Sequence, residues 1–361
     1  MTELSMLSAD SSYDFETASV FDEIQKMSEI KSGAKGGTEN GTKNGTKVIV
    51  GLQFPEGLKK HAFSLASLIE EKTEAAVYIS ANPCFGACDL DMVLLEKCDL
   101  FFHFGHAELK QKNIGDKVRF IEARSKVDIS DAVKAALPLL PENIIGILTT
   151  VQHVHRLDEA REILENAGKT VVISVGDERI AHPGQILGCN FSAAHSSDSE
   201  KCEAFLYLGS GQFHPIGAAL SSKKRVVCAD PFTSEVFELN FRKFLMQRSA
   251  VIGNAADAET FGILVSVKNG QYRQTLAEQL KKKAAAHGKQ AFILSMDLIT
   301  PDQMLSFKAD AFVNTACPRL AIDDSGRYPA SVLTPQEFEI VLGERSWDDL
   351  VMDEILEGGQ D

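Results

Sequence analysis

From Lys47 onward the same order of elements recurs three times, and this recurrence restricts the chain to a mostly parallel α/β architecture. Lys47-Val-Ile-Val-Gly-Leu-Gln53 is a β-branched apolar run that ends in the turn Phe54-Pro-Glu-Gly57. Leu58 to Glu71 then has helical spacing, with Leu58, Ala62, Leu65 and Leu68–Ile69 on one side. Ala75–Ser80 predicts the next strand, Met92–Glu96 a short helix and Leu100–Phe104 a further strand. Asn143–Leu148, Arg156–Ala167, Thr170–Ser174 and Ala204–Leu208 repeat that order, and Phe261–Ser266, Arg273–Ala286, Gln290–Ser295 and Ala311–Thr315 repeat it again. Strands alternating with helices of about 10–15 residues predict right-handed crossovers and a parallel sheet. Gly51, Gly146 and Gly262 hold comparable places in the three opening strands, so the triplication is degenerate rather than exact.

These repeats predict α/β domains over 47–142, 143–250 and 251–340, preceded by a flexible extension (1–46) and followed by an acidic tail (341–361). The extension contains a Gly/Thr/Asn/Lys linker from Ser32 to Thr46 with a doubled Asn-Gly-Thr-Lys unit, and a short amphipathic helix is predicted over Phe15–Ile30. Acidic residues outnumber basic ones 51 to 37, for a net charge of −14. That balance speaks against general nucleic-acid binding, which needs a basic surface. In the tail, Asp348, Asp349, Asp353, Glu354, Glu357 and Asp361 read as a solvated acidic face. No run approaches the roughly 20 apolar residues of a membrane span, and no basic segment followed by an apolar one opens the chain. The expected location is the cytoplasm, and an odd count of seven cysteines speaks against a disulfide framework.

Three of those cysteines stand out. Cys88 in Gly86-Ala-Cys-Asp89, Cys189 in Leu187-Gly-Cys-Asn190 and Cys317 in Ala316-Cys-Pro-Arg319 each follow a strand, one per repeat, although Cys317 follows a later strand of its unit. Ligand sites in open parallel sheets collect at the carboxyl ends of strands. Soft sulfur ligands select iron–sulfur clusters or zinc, and three thiolates leave one iron of a 4Fe–4S cluster open. Cys98, Cys202 and Cys228, at strand ends, fit a buried core role. Cys84 has CxxxC spacing to Cys88 and is an outside candidate, but no third cysteine completes a local cradle. His153 and His155 lack further residues at metal-ligand spacing and read as loop or helix-entry residues.

Leu52-Gln-Phe-Pro-Glu-Gly-Leu58, Gly86-Ala-Cys-Asp89, Phe104-Gly-His106, Leu187-Gly-Cys189, Gly211-Gln-Phe-His-Pro-Ile-Gly217 and Asn314-Thr-Ala-Cys-Pro-Arg319 together resemble the diphthamide synthesis proteins, most closely the archaeal homodimeric type. The resemblance covers roughly residues 47 to 340. It implies three similar Rossmann-like parallel-sheet domains in a pseudo-threefold arrangement around a central iron–sulfur site. By motif the cluster cysteines fall on Cys88, Cys189 and Cys317, and the presence of all three suits a self-sufficient homodimer subunit. The implied reaction is the first step of diphthamide biosynthesis. A 4Fe–4S cluster binds S-adenosylmethionine through its unique iron and cleaves the Cγ–S bond to give a 3-amino-3-carboxypropyl radical. That group joins C2 of a histidine in translation elongation factor 2, and a separate protein donates the electron.

Beside that reading, Arg319 is a candidate for the methionine carboxylate of S-adenosylmethionine, with an ion pair to Asp323 or Asp324 as the alternative. Gln271, in the turn Lys268-Asn-Gly-Gln271, is placed to favour a carboxylate at a helix start or simply to cap the helix. His106 and His214 follow strand ends and Asp89 adjoins Cys88, so each is a candidate to line the pocket or orient the target imidazole. Three rivals remain at this point. One is a 4Fe–4S dehydratase of the quinolinate synthase kind, and another is a non-catalytic partner subunit of the same pathway. The third, a Rossmann nucleotide binder, lacks a complete GxGxxG turn after the first strand.

Overall fold

Three parallel sheets carry the fold, and each is assembled in the same order. The computed structural model describes residues 12–33, 47–109 and 114–355, which divide into two units at Val127–Asp128.

In the first unit, β1 (Ile49–Gln53) lies between β2 (Ala76–Ile79) and β3 (Leu100–Phe104), with β4 (Val118–Ile121) outside β3 and every pair parallel. Helix α1 (Thr17–Gly33) and helix α2 (Ala62–Thr73) pack against one another, and Leu58, Ala62, Leu65 and Ile69 point into the core at helical spacing. The predicted flexible extension is corrected over residues 13–33. Phe15, Val20 and Ile24 bury an apolar face with Leu65, Ile69 and Phe104, and Arg119 pairs with Glu23 at 2.8 Å. The predicted Phe15–Ile30 helix is therefore part of the unit's core, while residues 34–46, most of the expected linker, lie outside the described residues.

The second unit contains the other two sheets. In one, β5 (Ile144–Thr149) sits between β6 (Thr170–Val172) and β7 (Ala204–Leu208), followed by β8 (Arg225–Ala229) and an antiparallel edge strand, β9 (Val236–Glu238). In the other, β10 (Thr260–Ser266) sits between β11 (Gln290–Met296) and β12 (Ala311–Asn314), with β13 (Ser331–Leu333) at the edge. All three sheets thus run second, first, third, fourth strand. The first and third strands of each sheet are buried on both faces, which is why they read as continuous apolar runs rather than alternating ones.

One register pair marks the repeat. Gly51 stands opposite Phe101, Gly146 opposite Phe205 and Gly262 opposite Phe312. A Cβ at these glycines would lie 2.6, 2.3 and 2.7 Å from the facing ring, so the aromatic ring occupies the space a side chain would need. The opening glycines recur across the repeats for room, not for backbone freedom.

Candidate cysteine site

Burial divides the seven cysteines into two groups. Cys84, Cys98, Cys202 and Cys228 are buried, whereas Cys88, Cys189 and Cys317 are partly open. Burial pushes the thiols of Cys84 and Cys228 up to about 12 and that of Cys98 to about 11, and raises Cys202 as well. Cys98 and Cys202 lie beneath Gly51 and Gly146 as core residues, as their positions predict. The three partly open cysteines are those that the strand-end loops present: Cys88 and Cys189 after the second strand of their sheets, Cys317 after the third.

In the first unit the Cys88 loop is fixed by a buried amide. Gln53, at the end of β1 and 1% exposed, donates from Nε2 to the Asp89 carbonyl at 2.8 Å. Its Oε1 accepts from the Asp91 N–H at 3.4 Å and bonds His103 Nδ1 at 2.9 Å. These bonds set the amide orientation, so His103 carries its proton on Nδ1 and accepts at Nε2 from His106 Nδ1, 2.9 Å away. His106 is therefore left with a lone pair on Nε2. Burial lowers both imidazoles, His106 to about 4. Asp89 closes the loop from inside: its carboxylate accepts from the Phe85 N–H at 3.2 Å, and its own N–H bonds Gly86 O at 3.0 Å.

Donor atoms of Cys84, His103 and His106 lie within 4.8 Å of one another. The hydrogen bonds just described join those two imidazoles, and burial pushes the Cys84 thiol up.

In the second unit, Cys189 and Cys317 share a cation. Helix α3 (Gln274–Ala286) begins after Arg273, whose buried guanidinium donates to Thr315 O at 2.6 Å and Ala316 O at 3.2 Å, the two residues before Cys317. It also forks onto Asp353 at 2.9 and 2.6 Å. Burial works against this charge, but Asp353, and after it the Cys189 and Cys317 sulfurs, hold the guanidinium above its ordinary value. The Cys317 carbonyl is held by Asn314 Nδ2 at 2.8 Å.

Asp353 belongs to the stretch expected to be a solvated acidic tail, and that expectation is corrected up to Ile355. Leu350, Met352, Asp353 and Ile355 are buried, forming a strap. Ile355 N–H donates to Cys189 O at 2.7 Å, and Glu354 accepts from the Phe191 N–H at 2.6 Å, so the strap grips both sides of the Cys189 turn. Arg179 donates to Ile355 O, and Lys223 to Leu350 O. Glu357 and Asp361 lie outside the described residues.

Arg319 and His214 lie around Phe213, a residue the sequence reading did not single out. A Cβ at Gly188 would stand 2.6 Å from the Phe213 ring, and the Arg319 guanidinium lies 5.6 Å from that ring's centroid. Arg319 also pairs with Asp323 at 3.0 Å, the alternative the sequence left open. His214 stacks on Tyr207 with ring centroids 6.2 Å apart, and burial, aided by the Arg319 charge, lowers it to about 4. Gln271 is buried in its turn, its N–H bonded to Lys268 O at 2.9 Å. Arg273 and Asp353 were also missed. The available signal was a cation at a helix start, where the macrodipole disfavours it and a distant partner is needed.

Comparison with known proteins bears on the family and the fold. A family model for diphthamide synthesis proteins matches residues 54–351. The chain is 38% identical over 312 residues to 2-(3-amino-3-carboxypropyl)histidine synthase of Pyrococcus horikoshii, covering 85% of this chain and 89% of that protein. It is 27% identical to the Methanocaldococcus jannaschii protein of the same name, covering 80% and 83%. The crystal structure of Dph2 from Pyrococcus horikoshii with a 4Fe-4S cluster superposes with a TM-score of 0.83 at 33% identity, over 96% of each chain. Matches of this length to sequence and fold alike establish descent: the chain belongs to the diphthamide synthesis protein family.

Proposed function

We propose that this chain is a 2-(3-amino-3-carboxypropyl)histidine synthase that catalyses the first step of diphthamide synthesis. It moves the 3-amino-3-carboxypropyl group of S-adenosylmethionine to C2 of a histidine in translation elongation factor 2. The observation that carries the reading is the division of the cysteines, with Cys88, Cys189 and Cys317 partly open at strand-end loops and the other four buried. An all-sulfur donor set of this kind suits a 4Fe–4S cluster and leaves one iron without a protein ligand. When bound, that cluster supplies the open iron position and the electron for opening the Cγ–S bond of S-adenosylmethionine.

The chain's own residues then bind and orient. Arg319, more than half exposed, is placed to exchange Asp323 for the methionine carboxylate while remaining over Phe213. His106 and His214 stay neutral at physiological pH, so each offers an acceptor rather than a repelling charge to a substrate imidazole. Asp89 shapes the loop beside Cys88, and Gln271 closes the turn that precedes helix α3. The reading includes a homodimer and a separate electron-donor protein, acting in the cytoplasm; no helix among the described residues is long and apolar enough to cross a membrane.

The test uses protein purified without oxygen, reduced with dithionite and given elongation factor 2 with S-adenosylmethionine labelled in the methionine carboxyl group. Label in the factor, with methylthioadenosine released, supports the reading. Iron present without transfer overturns the catalytic assignment in favour of a partner subunit, and absence of iron overturns the cysteine assignment.

A further inference from the structure

We propose that Arg273 and Asp353 form the positioning device of the second unit's cysteine pair, with the strap Leu350–Ile355 as the clamp that holds the Cys189 and Cys317 loops to one another. The electrostatic half of this inference rests on the cluster reading above; the mechanical half does not.

The contacts converge from both sides. Arg273 binds the carbonyls of Thr315 and Ala316, immediately before Cys317. Asp353 takes the other edge of the same guanidinium. One and two residues further on, Glu354 and Ile355 bind Phe191 N–H and Cys189 O. Glu354 is itself seated by Ser221 at 3.0 Å and His195 at 3.1 Å. Three consecutive strap residues therefore reach two loops that lie far apart in sequence.

Stability alone does not account for this arrangement. A buried ion pair is expensive to desolvate and can often be replaced by apolar side chains without loss. Here the cation stands where helix α3 disfavours it and where its charge interacts with both sulfurs. A positive charge beside a cluster that gains one electron from an external donor favours the reduced form, because reduction adds negative charge. Asp353 moderates that effect, so the pair sets both the geometry and the net charge at this side of the site.

The experiment compares the full chain with Asp353→Asn, Arg273→Gln and Arg273→Lys. Backbone amide exchange in the iron-free protein reads the clamp. Faster exchange at 187–191 and 314–317 together, in both Asp353→Asn and Arg273→Gln, is the expected result; acceleration at one loop only, or at neither, overturns the clamp. The midpoint potential of the iron-loaded protein, followed by electron paramagnetic resonance, reads the charge. It shifts upward in Asp353→Asn, where the cation loses its counter-charge, and downward in Arg273→Gln, where a buried anion remains. Shifts of the same sign, or none, overturn the electrostatic role. Arg273→Lys keeps the charge without the fork, so its exchange rises while its potential stays near that of the parent. Should the parent take up no iron, the cluster reading and the electrostatic role built on it both fail, while the exchange result still decides the clamp.

Discussion

Gly146 and Phe205 are register partners on β5 and β7, and a methyl group on Gly146 would stand 2.3 Å from the ring. The pair recurs as Gly51–Phe101 and Gly262–Phe312, and each time the ring lies over bare backbone of the opening strand. Neither atom set can move far, because both strands are central in their sheets. Gly146→Ala is therefore expected to destabilise the second unit by about 1–3 kcal/mol through overpacking, even after the smaller unfolded-state entropy gain of alanine. Urea denaturation of Gly146→Ala, and of Gly146→Ala with Phe205→Leu, checks this. Partial recovery in the double variant is expected; an unchanged midpoint in the single variant would show that the ring has room to move.

The burial of the cysteines makes a second prediction. Cys88→Ala, Cys189→Ala and Cys317→Ala should each lose most of the iron taken up on anaerobic reconstitution, because the proposed three-cysteine site has no spare ligand. Cys202→Ala should keep its iron and lose only about 1 kcal/mol of stability, the cost of removing a small buried group. Iron per chain and a denaturation curve, measured on the same four preparations, separate the two outcomes. Full iron after any two of the Cys88, Cys189 and Cys317 changes would remove those residues from the proposed site.

What the sequence makes legible is what depends on local pattern. The opening strands stand out because burial on both faces makes them unbroken apolar runs, and the cysteine loops stand out because Gly86, Gly188 and Pro318 mark turns. Arg273 and Asp353 are 80 positions apart, and no periodicity links them. The strap was hidden for a different reason: charge dominates residues 346–361, so Leu350, Met352 and Ile355 look incidental. Their burial, and not the charge count, decides where that segment lies. Gln53 and Phe213 fall inside the motifs that carry the family resemblance, yet nothing in a motif says that one amide fixes a loop or that one ring joins a cysteine turn to an arginine.

The histidines predict an acid-sensitive fold. Burial lowers His106, His153 and His214 to about 4, with His155 adding to the effect at His153 and Arg319 at His214. Between the ordinary 6.5 and about 4, the unfolded chain binds protons that the folded chain refuses, so stability falls as pH falls through that window and levels below it. His195 runs the other way. Its bond to Glu354 outweighs its burial and raises it, so its contribution is complete below the ordinary value and fades as pH rises through the raised one. Urea midpoints from pH 8 to 4 should decline on the acid side, less steeply in His214→Asn. An identical acid slope in that variant would exclude His214 as a source of the effect.

Gln53 gives the most direct test of how the first unit holds Cys88. Its amide binds the Asp89 carbonyl, the Asp91 N–H and His103 together, and Gln53, Asp89 and His103 are all buried. Gln53→Glu keeps the shape and both acceptor bonds but replaces the donor to Asp89 O with a second oxygen, so a carbonyl and a carboxylate face each other at hydrogen-bond distance. Gln53→Met removes all three bonds and adds no charge. A buried group left without its partner costs about 1–3 kcal/mol, and a charged one more, so Gln53→Glu should be the less stable of the two despite being the closer isostere. Both should bind iron less tightly, because the Asp89 carbonyl anchors the residue after Cys88, a ligand in the proposed site. Thermal melts and iron titration of the two variants check the order. If Gln53→Glu proves as stable as the parent, no charged carboxylate faces the Asp89 carbonyl, and the expected order of the two variants is overturned.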